Sequence, residues 1–143
     1  MDFDLNRFVK AQQHLYGMAL SELTAGRKQS HWMWFIFPQI HGLGRSETAR
    51  FYAIAGRAEA EAYVVHPVLG PRLKDCTEAM LSHSNLTAHA ILGSPDDLKF
   101  RSSMTLFAAV SDDGSLFETA IKVFHAGEYD QATLRMLKTA SFG

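Results

Sequence analysis

The chain has 143 residues, 47% of them apolar and 11% aromatic, so we expect one globular domain with a substantial core over residues 1–143. Its net charge is -1, and its 14 Lys and Arg residues form no cluster of the kind that binds phosphate backbones, so no nucleic-acid partner is expected. One cysteine excludes an intrachain disulfide. No long apolar run and no basic leader is evident, which predicts a cytoplasmic protein without a membrane partner.

The N-terminal segment has the spacing of an amphipathic helix. Nine positions between 5 and 23 fall on one helical face, and eight of them are apolar. Gly26 follows as a plausible stop. The exception on the apolar face is Gln12, which needs hydrogen-bond partners there. It is either a core amide that fixes a loop backbone or a side chain that points into a polar pocket.

The segment Ser30–Gln39 holds both tryptophans and marks either the centre of the core or the floor of a pocket. A helix capped by Ser30 has to end before Pro38, because the residue that precedes proline avoids helical angles. A strand is the competing interpretation, but both of its faces would be apolar and no partner strand is evident. We therefore expect a short helix or an irregular buried turn.

Two further helices are predicted between residues 46 and 81. Ser46 suits the cap of the first, and Pro71 suits the first turn of the second. Cys76 falls on an apolar stripe of the second helix, so it is expected to be a small buried hydrophobe rather than a nucleophile. The expected inner face of the first helix comprises Phe51, Tyr52, Ala55, Ala58, Ala62 and Val65.

The next helix begins with a proline and acidic residues at Ser94–Asp97, with Ser94 as the cap, and should run to about Val110. Its middle is apolar almost all round, which is typical of a central helix. Lys99, Ser102 and Ser103 nevertheless share one face and together suit a phosphate or carboxylate. The alternative is a surface lysine beside small hydroxyls that pack for size.

Charge and capping patterns cover the remaining elements. Asp97 precedes Arg101 by four residues, which favours an ion pair on the helix surface. Ser115 and Glu118 form a capping-box pattern, and Asp130 is expected to cap the last helix. The chain shows no repeat or linker. The predicted fold class is therefore all-α, a compact arrangement of about six to seven helices.

The seven histidines do not have the spacing of a helical metal site, since no two of them are three or four residues apart. A zinc site assembled from distant positions is the alternative. The chain also lacks a nucleophile elbow, a Walker loop and a dinucleotide fingerprint. We therefore expect neither a metal nor a cofactor.

Several stretches are distinctive, and they occur in order between about Phe8 and Leu137: Arg7–Gln12, Ser30–Trp34 with Phe37–Gln39, Gly42–Ser46, His66–Gly70 and Asp97–Phe107. Together they resemble a mainly microbial family that is catalogued as a domain of unknown function and is often labelled calpastatin. The resemblance implies a helical fold and no established activity. The label does not fit, because a disordered inhibitor would be poor in aromatic residues, and this chain has ten Phe.

The polar exceptions within these stretches define a hypothetical site floored by Trp32 and Trp34. The residues assigned to catalysis are His31, His66 and Asp97. The residues assigned to ligand binding are Gln12, Trp32, Trp34, Gln39, Lys99 and Ser102. In this hypothesis tryptophan stacks a planar ring, Lys99 and Ser102 hold an anionic group, and the catalytic residues move protons.

Three functions are compatible with these residues. The first is an enzyme, of hydrolase or glycosidase type, that acts on a small anionic and nucleotide-like metabolite. The helical layout is also faintly similar to glycosidases that process ADP-ribose derivatives, a likeness that assigns no residue. The second is a non-catalytic module that binds a ligand or a peptide. The third treats the motifs as determinants of the fold alone. The expected oligomeric state is a monomer or a homodimer.

Overall fold

Helices joined by short turns make up the protein, which a computed structural model describes over residues 3–140. The all-α prediction is confirmed, because the residues in that range form no strand. They contain an isolated parallel bridge between Ile40 and Ile54. None of the helices in this range is long and apolar enough to span a bilayer. The elements are α1 Asn6–Ala25, α2 Met33–Ile36, α3 Glu47–Phe51, α4 Arg57–Val65, α5 Leu69–Leu81, α6 Ala88–Leu92, α7 Asp96–Ala109, α8 Leu116–His125 and α9 Gln131–Ala140.

The first helix and the tryptophan segment follow the sequence pattern, apart from one cap. Helix α1 ends at Gly26, whose φ of 80° is easily adopted by a residue without Cβ. The short helix predicted before Pro38 is confirmed as α2. Its predicted cap is wrong, because α2 begins at Met33 and the Ser30 hydroxyl instead donates to Glu22 Oε2 at 2.6 Å.

The single helix predicted after Ser46 is wrong, because the chain forms two. Ser46 does cap α3, and its hydroxyl accepts a hydrogen bond from the Ala49 N–H at 3.1 Å. The helix then stops because the Ile54 N–H donates to the Gln39 carbonyl at 2.9 Å, an arrangement that needs extended backbone. As a result, four members of the expected inner face are exposed: Ala55, Ala58, Phe51 by 58% and Val65 by 79%.

Helix α5 crosses close to α4 and carries the only cysteine. A Cβ on Gly70 would collide with the Val64 carbonyl oxygen, so this close approach requires glycine. Pro71 lies in the first turn, as predicted. The expected burial of Cys76 is confirmed at 1% exposure, and burial is the main cause that raises the pKa of its thiol to about 12.

Helix α7 is the central element and packs against α4, α6, α8 and α9. Asp96 and Asp97 occupy its first turn as predicted, but the N-cap is Pro95 rather than Ser94. The prediction that its middle is buried is confirmed for Phe100, Ser102, Ser103, Met104, Thr105, Leu106 and Phe107. Of the buried polar side chains, Ser102 and Thr105 have partners on the chain, whereas within residues 3–140 the Ser103 hydroxyl has none.

The last two helices meet at a tight loop. Ser115 caps α8 by accepting from the Glu118 N–H at 3.3 Å, and the Glu118 carboxylate accepts from the Gly114 N–H at 3.2 Å, which resembles the predicted capping box. Helix α8 ends at Ala126, whose φ of 54° is left-handed, and Gly127 follows at 76°. Asp130 then directly precedes α9.

Candidate functional site

The loop between α8 and α9 borders an open cleft of about 590 Å³. This volume falls in the range of about 300–1,000 Å³ that is usual for small-molecule pockets. Two arginines contribute to its lining, Arg101 from α7 and Arg135 from α9, and we call it the arginine cleft. Its other lining residues are Gly127, Glu128, Tyr129, Asp130, Gln131 and Ala132.

Hydroxyl groups of α7 hold the loop that borders the cleft. The Asp130 N–H donates to Thr105 Oγ1 at 2.9 Å, and the Ser102 hydroxyl donates to Asp130 Oδ2 at 2.8 Å. The hydroxyl of Thr133, one turn into α9, donates to the same carboxylate oxygen. The buried hydroxyls of Ser102 and Thr105 therefore have a structural role. They fix Asp130, and with it the start of α9, against α7.

The positive charge in the arginine cleft is poorly neutralised by the protein. Arg101 Nη2 lies 4.0 Å from Asp130 Oδ1, which is longer than a hydrogen bond. Within residues 3–140, the buried Arg101 Nε–H has no acceptor, and Arg135 makes no ion pair. A guanidinium offers five N–H donors, so both arginines keep donors in reserve.

A histidine at the end of α8 lies close enough to Arg101 to be affected by its charge, although it is not among the residues that line the cleft. His125 Nε2 is 3.1 Å from the Asp97 carbonyl oxygen, and because a carbonyl only accepts, Nε2 carries the hydrogen. Burial, followed by the positive charge of Arg101, lowers the pKa of His125 below its usual value. The ring is therefore neutral at pH 7, with the Nδ1 lone pair available to accept a proton.

The residues predicted on α7 have separate surroundings. Ser102 supports Asp130 of the arginine cleft, as described above. Asp97 lies 3.7 Å from His89 Nδ1 rather than pairing with Arg101, whose carboxylate neighbour is Asp130. The Lys99 ammonium lies 3.8 Å from Asp96 and 5.9 Å from the centre of the Trp34 ring. The structure therefore brings Lys99 and Trp34, both assigned to ligand binding, close together.

Trp34 and Gln39 line a second and much smaller cleft, together with Tyr52. Its volume of about 10 Å³ is close to the minimum for one water molecule. Neither Lys99 nor His66 is among its lining residues. The half-buried indole of Trp34 therefore meets a lysine at one contact and a narrow gap at another.

Gln12 and Trp32 are held in internal hydrogen bonds. The Gln12 amide donates to the Phe35 carbonyl at 2.7 Å and to the Tyr63 hydroxyl at 3.2 Å, so it is a core amide whose backbone partner lies in the short helix α2 rather than in a loop. Trp32 is completely buried, and its indole N–H donates to Glu22 at 2.9 Å. Its ring therefore has no exposed face on which a ligand could stack.

Glu22 organises the segment that leads to Trp32. Its carboxylate accepts hydrogen bonds from the backbone of Gln29, from the backbone and hydroxyl of Ser30, and from the Trp32 indole. Burial acts to raise the pKa of Glu22, but these hydrogen bonds outweigh it and lower the pKa to about 2. Sequence analysis missed this residue because its partners follow it by 7 to 10 positions, outside any helical spacing.

The two histidines assigned to catalysis, His66 and His31, form few side-chain hydrogen bonds with other residues. His66 Nδ1 accepts hydrogen bonds from the backbone N–H groups of Val68 and Leu69, at 3.1 and 3.2 Å, and so caps the start of α5. His31 is exposed just before α2. Proton transfer by either histidine, or by Asp97, stays a prediction.

Sequence analysis assigned none of the charged groups that line the arginine cleft to the site. Arg101 was noticed only as a partner of Asp97, and Asp130 only as a cap. A signal was present in the polar positions Ser102 and Thr105, which interrupt a buried helix and need partners from a distant segment. Those partners lie 28 and 25 residues away, which a sequence pattern does not reveal.

Comparisons with known proteins add a family and a solved structure. The chain is similar to the conserved hypothetical protein Rv1873 from Mycobacterium tuberculosis, with 46% identity and a TM-score of 0.93. The match covers 95% of this chain and 97% of that one. No curated protein matches. The family described as "Protein of unknown function (DUF1810)" matches residues 2–137, so the chain belongs to that family.

Proposed function

We propose that this protein binds a small anionic metabolite in the arginine cleft. The observation that carries the proposal is that two guanidinium groups line one cleft of about 590 Å³ without a close ion pair among residues 3–140: Arg101 Nη2 lies 4.0 Å from Asp130, and Arg135 has no carboxylate partner. A planar guanidinium matches the oxygen geometry of phosphate or carboxylate and forms strong charge-assisted hydrogen bonds to either. A bound anion can approach Arg101 within hydrogen-bond distance, which the Asp130 carboxylate oxygen at 4.0 Å does not.

The other cleft residues suit an organic anion. Tyr129 supplies an aromatic ring, and Gln131 supplies both a donor and an acceptor at the first position of α9. The positive end of the α9 dipole also favours negative charge at this point. These features support the nucleotide-like class of metabolite that the sequence suggested, with Tyr129 in the role first assigned to tryptophan.

Binding can be tested by thermal shift and calorimetry with inorganic phosphate, ribose 5-phosphate and AMP. We expect at least one of them to raise the melting temperature, since a ligand that binds only the folded state stabilises it. Arg101→Gln should weaken that ligand at least tenfold. Arg45→Gln, which removes an exposed arginine outside the cleft lining, is the matched control. If no probe binds, or if Arg101→Gln binds as the wild type does, the proposal is wrong.

Hydrolysis of the bound metabolite is the second candidate, and His125 favours it. The ring is neutral, its tautomer is fixed by the Asp97 carbonyl, and Arg101 is close enough to lower its pKa. A general base needs such a neutral ring with an available lone pair. They favour His125 over His31, which is exposed, and over His66, whose Nδ1 is used as a cap.

Turnover of a bound probe can be followed by chromatography. For a hydrolase, we expect His125→Gln to lower turnover at least tenfold while binding is kept. His83→Gln is the matched control, because His83 Nε2 makes a similar contact to a helix carbonyl, that of Thr24, at 2.8 Å. A ligand that binds without being consumed would instead identify a non-catalytic binding module.

A further inference from the structure

Another cavity, distinct from the small cleft at Trp34, lies next to the arginine cleft along α9. Its volume is about 300 Å³, and it shares Gln131 and Arg135 with the cleft. Because two lining residues are common to both, the cavities are neighbours on one surface of the protein. We call this neighbouring space the α4–α9 cavity. Its other lining residues are Arg57, Ala109, Leu134, Leu137 and Lys138.

Helical periodicity explains why α9 lines both spaces. Gln131, Leu134, Arg135 and Lys138 are spaced i, i+3, i+4 and i+7, so they share one face of the helix. Arg135 stands in the middle of that face. It therefore belongs to the arginine cleft on one side and to the α4–α9 cavity on the other.

The two spaces differ in charge. Two arginines and two carboxylates, Glu128 and Asp130, line the arginine cleft. Among the described residues, the lining of the α4–α9 cavity contains three cationic side chains and no carboxylate. The nearest ion pair there joins Arg57 to Glu61 at 3.9 Å, and both side chains are about half exposed, 48% and 54%, so the neutralisation is weak.

One of these cations is also held in position. Arg57 Nη1 donates to the Ala109 carbonyl, at the end of α7, at 3.0 Å. This bond fixes one edge of the guanidinium and leaves other N–H groups available. Lys138 adds a mobile ammonium from the exposed side of α9. The cavity is thus built to hold negative charge.

We propose that the ligand is an oligophosphate-type anion that carries at least two charged groups, one in the arginine cleft and one in the α4–α9 cavity, with Arg135 between them. This inference rests on the proposed function, since it extends the same site. It narrows the ligand class from any small anion to one with two linked anionic groups, because a single phosphate would leave Arg57 and Lys138 unused.

A chain-length series tests this inference: inorganic phosphate, pyrophosphate and tripolyphosphate, titrated by calorimetry at constant ionic strength. We expect wild-type affinity to rise at least tenfold from phosphate to the first probe long enough to reach both spaces. Lys138→Gln and Arg57→Gln should remove that gain, so that the longer probes bind each variant about as tightly as phosphate does. Arg101→Gln should weaken every probe, and Arg45→Gln controls for the loss of one positive charge.

The outcomes separate the two proposals. If phosphate binding depends on Arg101 while Lys138→Gln and Arg57→Gln bind the longer probes as the wild type does, only the two-group inference is wrong. If no probe binds, or if Arg101→Gln has no effect on any of them, the proposed function is wrong. A short single-stranded oligonucleotide that binds tighter than tripolyphosphate through the same cations would overturn the small-molecule class. Lys138 is exposed, so its variant remains informative if Arg57→Gln fails to fold.

Discussion

The tryptophan segment and the arginine cleft use their polar side chains in opposite ways. Around Trp32, the Glu22 carboxylate is saturated by four hydrogen bonds from nearby groups. Around the α8–α9 loop, Arg101 has a distant carboxylate and, among the described residues, a buried Nε–H without an acceptor. A distinctive sequence motif therefore does not by itself indicate a ligand site. Polar groups that find no partner within the fold are the better indicator.

The largest expected effect is at the tryptophan segment. Trp32→Ala should lower the free energy of unfolding by about 3–5 kcal/mol, because it empties a fully buried aromatic site. Trp34→Ala is the control and should cost clearly less, since Trp34 is only half-buried. Urea unfolding monitored by circular dichroism measures both. Equal losses would show that the two rings do not differ in structural role.

Glu22→Gln should have the next largest effect, a loss of about 1–3 kcal/mol at pH 7, because its single amide oxygen accepts less strongly than a carboxylate and the amide NH2 cannot accept at the position of the second oxygen. The lowered pKa also predicts a pH dependence. The carboxylate stabilises the fold fully above its usual pKa of 4.5, and this contribution is lost as the pH falls toward 2. Unfolding between pH 7 and pH 2.5 should show a larger loss in the wild type than in the variant, which still contains Glu118, another carboxylate with a lowered pKa.

His66→Ala should cost about 1 kcal/mol, because it removes the acceptor that caps α5. His66→Asn is the control, since a short amide oxygen can restore a cap and should recover part of the loss. The measurement is the shift in urea midpoint at pH 8. If His66→Ala left stability unchanged and instead abolished ligand binding, the capping role would be secondary to a role in the site.

Arg101→Gln should have the smallest effect on stability, within about 0.5 kcal/mol, because the native guanidinium lacks strong partners. The same variant should lose at least tenfold in affinity for the anionic probe. Together with Glu22→Gln, this variant tests whether Glu22 contributes to the stability of the fold and Arg101 to ligand binding. A large loss of stability in Arg101→Gln would make Arg101 a structural residue like Glu22.

Much of the fold could be predicted from the sequence because its signals are local. The stripe on α1, the caps at Ser46 and Ser115 and the acidic start of α7 depend on residues within one or two turns. The break between α3 and α4 could not be predicted in this way. It depends on Ile54 pairing with the chain beside Ile40, a contact between distant segments that overrides an alanine-rich helical pattern.

The candidate site was harder to predict, again because of distance along the chain. Gln12 stands out as polar on an apolar face, but its partner is the Phe35 carbonyl, 23 residues away, and only the fold shows that this need is met internally. Arg101 and Arg135 look like ordinary surface residues in the sequence. They become candidates only when the α8–α9 loop places them at one cleft.

The buried thiol of Cys76 gives this protein a built-in probe of its own motions. With 1% exposure and a pKa of about 12, the sulfur is almost entirely un-ionised and shielded from reagents at pH 8. Alkylation therefore has to wait until α5 separates from its neighbours. Because the chain has one cysteine, the rate of labelling reports how often the interior opens, and a bound metabolite that closes the molecule would slow that rate without any added fluorophore.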